Sequence, residues 1–518
     1  MKVNPKAKSF FKSLLRNKSI EEIREEAAAS GMNRTLTRLD LISIGIGCTI
    51  GSGIFVLTGM VARDYTGPSI AVSFLIAGVA SSLTAFSYAE LASMVPASGS
   101  AYAYASATVG EFCSWLVATN LFLEYIVGAS TIAVGWCDYL KSFLHITFNV
   151  EMGSLLTSSP VQYHPDTQEM RVDGSSYINI PAIFIVAAIT TIHVVGVKES
   201  SIMNNIIVVI KVLAILLFIL FGIQYIDPKN YVPFVPDRKG SAFGVIGIIR
   251  GAQKLFLSFI GFDAVASASQ ESINPKKDLP VGIIVSLLFC TLLYIAVSVV
   301  MTGISKYTLI QEGSISHIFS KFPKTKWLEV VISLGALAGL SSAILIMLMA
   351  QPRLFMSMSN DGLLPKMMGK LHPKFKTPYW STIITGIIVS ALSGFLPVNV
   401  LADMASCGAL VVFTLVNIAV IVLKKTRPNL ERGYVVPLGK YFCPVLGALI
   451  TVSLLLLSEL QTLIRMAIYL LLSILAYFIY PFTRSNLSDG TFFGKPGLVE
   501  YTENGFNKKS QTGENNSM

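Results

Sequence analysis

Long apolar runs, each closed by a short polar or charged stretch, divide the chain from about residue 38 to residue 482. Runs such as Ile206 to Tyr225 and Val281 to Met301 have the roughly 20 residues that an α-helix needs to cross about 30 Å of hydrocarbon. The pattern predicts twelve membrane helices, near 38–63, 68–94, 100–128, 178–196, 204–224, 243–272, 280–304, 327–358, 379–396, 399–423, 441–458 and 461–482. The stretch 129–145 reads either as a continuation of the third helix or as a short interfacial helix. Pro68, Pro280 and Pro378 are expected where helices begin, a position that tolerates a missing N–H.

The polar ends read differently. Residues 1–37 form a charged tail without the apolar core of a cleavable signal, and Ser19 to Ser30 is predicted to be a short helix. Ser19 and Glu22 are spaced as a capping box, and Gly31 can end the turn. Residues 484–518, rich in Gly, Asn, Ser and Lys, read as disordered. Between them, 38–483 is expected to be the membrane domain.

Composition makes lipid the solvent of that domain. Only 14% of residues are charged against 53% hydrophobic, too few to cover a water-facing surface of this size. The net charge of +10 follows topology, not nucleic acid, because the basic residues sit beside the spans. With the N-terminus inside, Lys and Arg divide 26 to 11 in favour of the inner segments, which predicts both termini cytoplasmic, in a plasma membrane or an endomembrane. The N-x-S/T sequons at Asn33, Asn486 and Asn515 then face the cytoplasm. The six cysteines lie in or beside apolar segments, which argues against a disulfide framework. His145, His164, His193, His317 and His372 are scattered, with no metal-ligand or nucleophile–base spacing, and no glycine loop with a lysine cradles phosphate. Neither an enzyme, a metal site, a cofactor nor ATP as energy source is indicated.

Two spans break the helical pattern. The first reads Gly45-Ile46-Gly47-Cys48-Thr49-Ile50-Gly51-Ser52-Gly53, and each glycine costs a helix about 1 kcal/mol against alanine. The sixth reads Leu257-Ser258-Phe259-Ile260-Gly261-Phe262-Asp263. A small-residue packing face is the alternative reading of the first run, and a second irregular span at the equivalent position of two five-helix halves, 38–224 and 243–423, weighs against it. Interrupted helices so placed point to a substrate site of a secondary transporter. Half-helix N-termini suit a carboxylate and freed carbonyls an ammonium, so a zwitterionic amino acid fits both.

The chain resembles the amino acid–polyamine–organocation superfamily, in its cationic amino acid transporter branch. The likeness covers roughly 35 to 480. It rests on Gly51-Ser52-Gly53-Ile54-Phe55-Val56-Leu57-Thr58-Gly59, Tyr88-Ala89-Glu90-Leu91 and Pro96-x-Ser98-Gly99-Ser100-Ala101-Tyr102. Further on stand Ile260-Gly261-Phe262-Asp263, Asn274-Pro275-x-x-Asp278-x-Pro280 and Asp361-Gly362-Leu363-Leu364-Pro365. The resemblance implies an all-α membrane protein with a 5+5 inverted repeat and two added helices, 441–482. It implies that N–H groups of Ile50, Gly51, Ser52 and Gly53 face a substrate carboxylate, and that carbonyls of Leu257, Ser258 and Ile260 face its amino group. It also associates a lysine at Lys211 with proton coupling or sodium independence, and sets Glu124 near the substrate.

Ionisable residues at membrane depth are functional candidates by default. Lys211 either snorkels to the interface or sets its ammonium against helices 1 and 8 in place of sodium. Glu124 is either a substrate residue or a structural hydrogen-bonding group. Asp263 is expected to cap the second half of helix 6, and Glu90 either closes a gate or sits at the interface. Met347, where relatives that accept long cationic side chains typically have a small residue, would shorten the pocket. Arg250 and Lys254, four apart on one helical face, either form a positive vestibule or reach headgroups or a loop carboxylate; with the vestibule, Met347 favours neutral amino acids over arginine and lysine. A cationic facilitator or exchanger, and an amino acid sensor on the same fold, are the alternatives.

Overall fold

A computed structural model describes residues 16–21, 23, 34–95, 99–164, 169–172, 174, 176–195, 201–240, 242–310, 315–322, 325–375 and 377–481. Most of the Ser19–Ser30 helix, the tail 484–518, the three sequons, and Pro96 and Ser98 lie outside the described residues.

The first span opens with a capping box in which the Thr37 N–H donates to Asp40 Oδ2 at 2.9 Å, and α1 runs Arg38–Thr49. It stops at Ile50, whose backbone is extended. The chain resumes in wide π-helical turns, Gly53–Leu57 and Ala62–Thr66, around one α-helical turn, Thr58–Val61. Gly67, with φ 64° and no room for a Cβ beside Pro236, turns it into α2 (Ile70–Met94).

The third span departs from expectation. A short helix, α3 (Ala101–Thr108), ends before Gly110, whose φ of 103° breaks the helix axis, and α4 then runs unbroken from Glu111 to Phe148. The stretch 129–145 therefore continues the third helix. At 1.5 Å per residue the 38 residues of α4 span about 57 Å, well beyond the hydrocarbon. A polar antiparallel hairpin follows, β1 (Val161–His164) and β2 (Glu169–Val172), which apolar periodicity did not predict.

The remaining spans are α5 (Ile180–Val195), α6 (Ser201–Gly222), the sixth span in two pieces, α7 (Gly244–Leu255) and α8 (Phe262–Ser267), then α9 (Pro275–Ile304) and α10 (Lys326–Asn360). After them come α11 (Tyr379–Phe395), α12 (Val398–Thr426), α13 (Phe442–Leu456) and α14 (Leu460–Ile479). Pro280 does not start its helix: Pro275 does, and Pro280 lies within the first turns of α9. Among the described residues eight helical runs are long and apolar enough to cross a membrane, the first of them, Arg38–Met94, containing two crossings. The shorter apolar helices α5, α11 and α13 complete the twelve.

Packing follows the pairing that an inverted repeat demands. The second and seventh spans (α2, α9), the third and eighth (α4, α10) and the fourth and ninth (α5, α11) pack on each other. Further contacts come in reciprocal sets: α1 on α9 answers α7 on α2, and α10 on α6 answers α4 on α12. The outer face of α6 exposes Ile206, Val209, Ile210, Leu213 and Leu220, an apolar surface suited to lipid.

Candidate functional site

Where α1 ends, the two broken spans meet glycine to side chain. A Cβ on Gly53 would lie 2.2 Å from Ser258 Oγ and 2.4 Å from Ser258 Cα. A Cβ on Gly261 (φ 125°) would lie 2.8 Å from the carbonyl carbon of Cys48. No side chain fits at either crossing, so the glycines permit the two breaks to touch. Gly51 is different: a Cβ there would find Ala343 and Ile132 at ordinary contact distance.

The polar groups at this crossing are largely accounted for. The Ile50 N–H donates to the Ile46 carbonyl at 2.9 Å, so it is spent in α1. Gly51, Ser52 and Gly53 lead into the next half-helix, whose first N–H groups have no helical carbonyl ahead of them. On the sixth span the Leu257 carbonyl accepts from Ile260 N–H at 3.2 Å. The Tyr294 hydroxyl lies 2.7 Å from the Thr49 carbonyl and 2.9 Å from the Ser258 carbonyl, donating to one at a time and tying both breaks to α9. Asp263 accepts from the Gly261 N–H at 3.1 Å and from the Tyr125 hydroxyl at 2.6 Å, and so secures the start of α8.

Lys211 of α6 is fully buried and does not snorkel. Its ammonium donates to the carbonyls of Gly47 and Ile50, the latter at 3.1 Å, and lies 3.3 Å from Ser342 Oγ of α10. It thus bridges the broken first span and the eighth. Glu124 is fully buried on α4, and neither carboxylate oxygen has a hydrogen-bond partner among the described residues. One turn away on α4, Gly128 leaves space that Met347 of α10 fills, its sulfur 3.2 Å from where a Cβ would stand. Met347 is itself one turn from Ala343, which lies against Gly51. Gly51, Glu124, Met347 and Lys211 are therefore grouped around one crossing, where the Glu124 carboxylate, Ser258 Oγ and Thr49 Oγ1 have no hydrogen-bond partner among the described residues.

Residues 36–476 match the family model described as amino acid permease. The chain belongs to this family. It is 40% identical to the methylthioribose transporter of Bacillus subtilis (strain 168), over 90% of this chain and 98% of that protein. It is also 40% identical to the branched-chain amino acid permease BcaP of the same organism, over 92% and 99%. Identity to the vacuolar cationic amino acid transporter 2 of Arabidopsis thaliana is 37%, over 81% of this chain and 64% of that one. An amino acid permease is a membrane transporter, not an enzyme.

In this permease Glu90 lies away from the crossing. It is fully buried, pairs with Arg432 and with Lys424 at 2.9 Å, and accepts from the Val436 N–H at 2.9 Å. It clamps the connection between α12 and α13. Nor does Lys254 line a positive vestibule. Its ammonium lies 2.7 Å from both Asp403 oxygens and 3.4 Å from Glu459, over the face of Tyr65 at 4.5 Å from the ring centre. Glu459 also accepts from Tyr65 at 3.0 Å and from Tyr163 of the hairpin. Burial, then neighbouring Tyr65, holds the Tyr163 hydroxyl above its ordinary pKa, so it stays a donor. The i, i+4 spacing of Arg250 and Lys254 suggested a charged face because Asp403 and Glu459, far along the chain, are invisible to local spacing. Tyr294, Tyr125 and Ser342 were missed for a related reason: a buried Tyr or Ser in an apolar run has no signature until its partner is known.

Proposed function

We propose that this permease carries free amino acids by proton-coupled, sodium-independent transport, with neutral substrates favoured. The observation that carries the reading is the Lys211 ammonium seated on the carbonyls of Gly47 and Ile50 and near Ser342 Oγ. Those are oxygens of the kind a sodium ion would need, and the lysine occupies them with a removable proton. The N–H groups of Gly51, Ser52 and Gly53 take the carboxylate. The carbonyls of Leu257, Ser258 and Ile260 take the amino group, Ser258 sharing its oxygen with Tyr294. Both termini lie in the cytoplasm, and 38–224 and 243–423 act as the two repeats.

Substrate choice rests on Met347, since the charge of Lys254 is compensated and gives no reason to reject a cation. A thioether that closes the side-chain end is worth about 1–3 kcal/mol against longer substrates. Glu124 is the opposing consideration, a buried carboxylate that a cationic side chain would satisfy. The relatives span branched-chain, cationic and methylthioribose transporters, so all three classes belong in one assay.

The test is uptake of labelled alanine into proteoliposomes under an inward proton gradient, without sodium. Leucine, arginine and methylthioribose are added in excess as competitors. Leucine is expected to compete best, and Met347→Ser to improve arginine about tenfold or more. Strict sodium dependence would overturn the Lys211 reading. Equal competition by arginine, unaffected at Met347, would replace it with a cationic facilitator. Binding without uptake would indicate a sensor.

A further inference from the structure

At 1.5 Å per residue the 30 residues of α9 reach about 45 Å, roughly 15 Å more than the hydrocarbon they cross. The excess falls at the ends, so the first turn of α9 stands at headgroup level while the turns from Val281 onward face acyl chains. That boundary holds a cavity of about 340 Å³. Its polar end is lined by Arg38, at the head of α1, and by Lys276 and Lys277. Its apolar end is walled by Val281, Ile284 and Val285, the last of them exposed. The connection between α12 and α13 closes the back. Gly433 stands so near α9 that a Cβ would lie 2.9 Å from the Lys276 carbonyl oxygen. Beside it, Tyr434 lines the cavity and is anchored by its N–H, which donates to Ser93 Oγ of α2 at 3.1 Å.

The three basic residues are not equally committed. Arg38 spends its Nε–H on Asp278 Oδ1 at 2.9 Å, with a side chain that is 54% exposed. Lys276 pairs with Glu431 at 3.0 Å, but both groups are exposed, and such a surface pair holds weakly. Lys277 is exposed and has no side-chain hydrogen bond or ion pair among the described residues. Two carboxylates therefore face three cations, and the surplus charge borders a groove that ends in hydrocarbon. Cations, then a hydroxyl, then an apolar wall match the order of phosphate, glycerol and acyl chain in a phospholipid. A small soluble anion would leave the wall unused, and a zwitterionic lipid would bring its own ammonium against the cations.

We propose that this cavity binds one anionic phospholipid, with its phosphate on Lys277, Arg38 and Lys276 and its glycerol region beside Tyr434. One acyl chain lies along Val281, Ile284 and Val285. The lipid joins the heads of α1 and α9 to the α12–α13 connection from outside the protein. The site stands apart from the crossing of the broken spans, so it does not rest on the transport reading and is measured without substrate.

The full chain is purified in detergent and offered equal amounts of phosphatidylglycerol and phosphatidylcholine, and bound lipid is counted by native mass spectrometry. The wild type is expected to retain one phosphatidylglycerol, in about tenfold preference. Lys277→Ala is expected to lower that preference about fivefold, the weight of one basic residue at an anionic surface. Val285→Trp, which fills the acyl end, is expected to lower phosphatidylglycerol retention by a similar factor. Lys239→Ala, at an exposed lysine beyond the other end of the sixth span, is expected to change nothing. Inorganic phosphate in large excess is expected not to displace the lipid. Equal retention of the two lipids by the wild type, or an unchanged preference in folded Lys277→Ala, overturns the site. If that variant does not fold, unchanged retention in Val285→Trp does so instead. A loss in Lys239→Ala as large as in Lys277→Ala reduces the preference to overall charge and overturns the site as well. Displacement by inorganic phosphate does the same, since the cavity is then a site for a free anion.

Discussion

Lys211 and Lys254 are both buried, on consecutive spans, yet their surroundings differ in kind. Lys254 faces two carboxylates and a tyrosine ring, so its charge is compensated in place. Lys211 has hydrogen bonds to two carbonyls and a hydroxyl, all neutral, and the two carbonyls belong to the turn where α1 comes apart. A buried charge held by opposite charges resists removal, because each partner left behind is stranded. A buried charge held by dipoles of a broken helix depends on that helix keeping its place. The first arrangement fixes α7 against α12 and the hairpin side; the second ties Lys211 to the position of the broken end of α1.

The sharpest way to break this contrast is to remove Lys211. Lys211→Ala is expected to reduce proton-driven uptake to that of empty liposomes, while Lys211→Met, which keeps the stem's packing, lowers thermal stability less than Lys254→Met because no carboxylate is stranded. Proton-driven uptake that survives in Lys211→Ala would put the coupling group elsewhere.

The opposite profile is expected for Lys254→Met. Asp403 and Glu459 would be left facing each other in the core, at a cost of about 3–5 kcal/mol in stability. Adding Asp403→Asn should recover much of it, and thermal melts of the single and double variants measure the difference. If the double variant is no more stable than the single, the pair does not have the compensating role assigned to it.

How far the sequence discloses these two lysines separates along physical lines. The twelve spans and both breaks are legible because length and glycine clustering act locally. Lys211 was open between snorkelling and a place against the first and eighth spans, and its ammonium lies on the carbonyls of Gly47 and Ile50 and near Ser342 Oγ. Lys254 was open between a positive vestibule and a pairing with headgroups or a loop carboxylate, and Asp403 on α12 with Glu459 before α14 make it a carboxylate pairing. Glu90 was open between gate and interface, and Arg432, Lys424 and the Val436 N–H make it a clamp. The hairpin was missed because its strands are four residues each, too short for an apolar alternation to show.

A third test acts on the break that supplies the carbonyls of Lys211. Gly53→Ala would drive a methyl into Ser258, including its Cα, and is expected to abolish uptake and lower the yield of folded protein. Gly51→Ala meets only ordinary contacts and should keep more than half of wild-type uptake, whereas the bulkier Gly51→Val should lose it by blocking the N–H groups beside it. Uptake assays on equal amounts of folded protein separate these cases. Full uptake by Gly51→Val would exclude those N–H groups from substrate binding.

The smallest effect is expected at Tyr294, and it sharpens the contrast from the neutral side. Its hydroxyl is shared between the Thr49 and Ser258 carbonyls, one from each broken span, so it supplies a single proton to two acceptors. Tyr294→Phe removes that proton and keeps the ring, which packs against Phe74 and Phe259. The lost hydrogen bond is worth about 1 kcal/mol, or roughly a fivefold change. The direction depends on what replaces it. If a substrate ammonium takes the Ser258 carbonyl, freeing that oxygen strengthens the ground-state contact, so KM for alanine falls while the maximal rate also falls. If the hydroxyl only holds the two breaks together, KM rises and melting temperature drops with it. Measuring both constants and the melt on the same preparation tells the two apart, and a fall in KM would bring the Ser258 carbonyl into the substrate's binding shell.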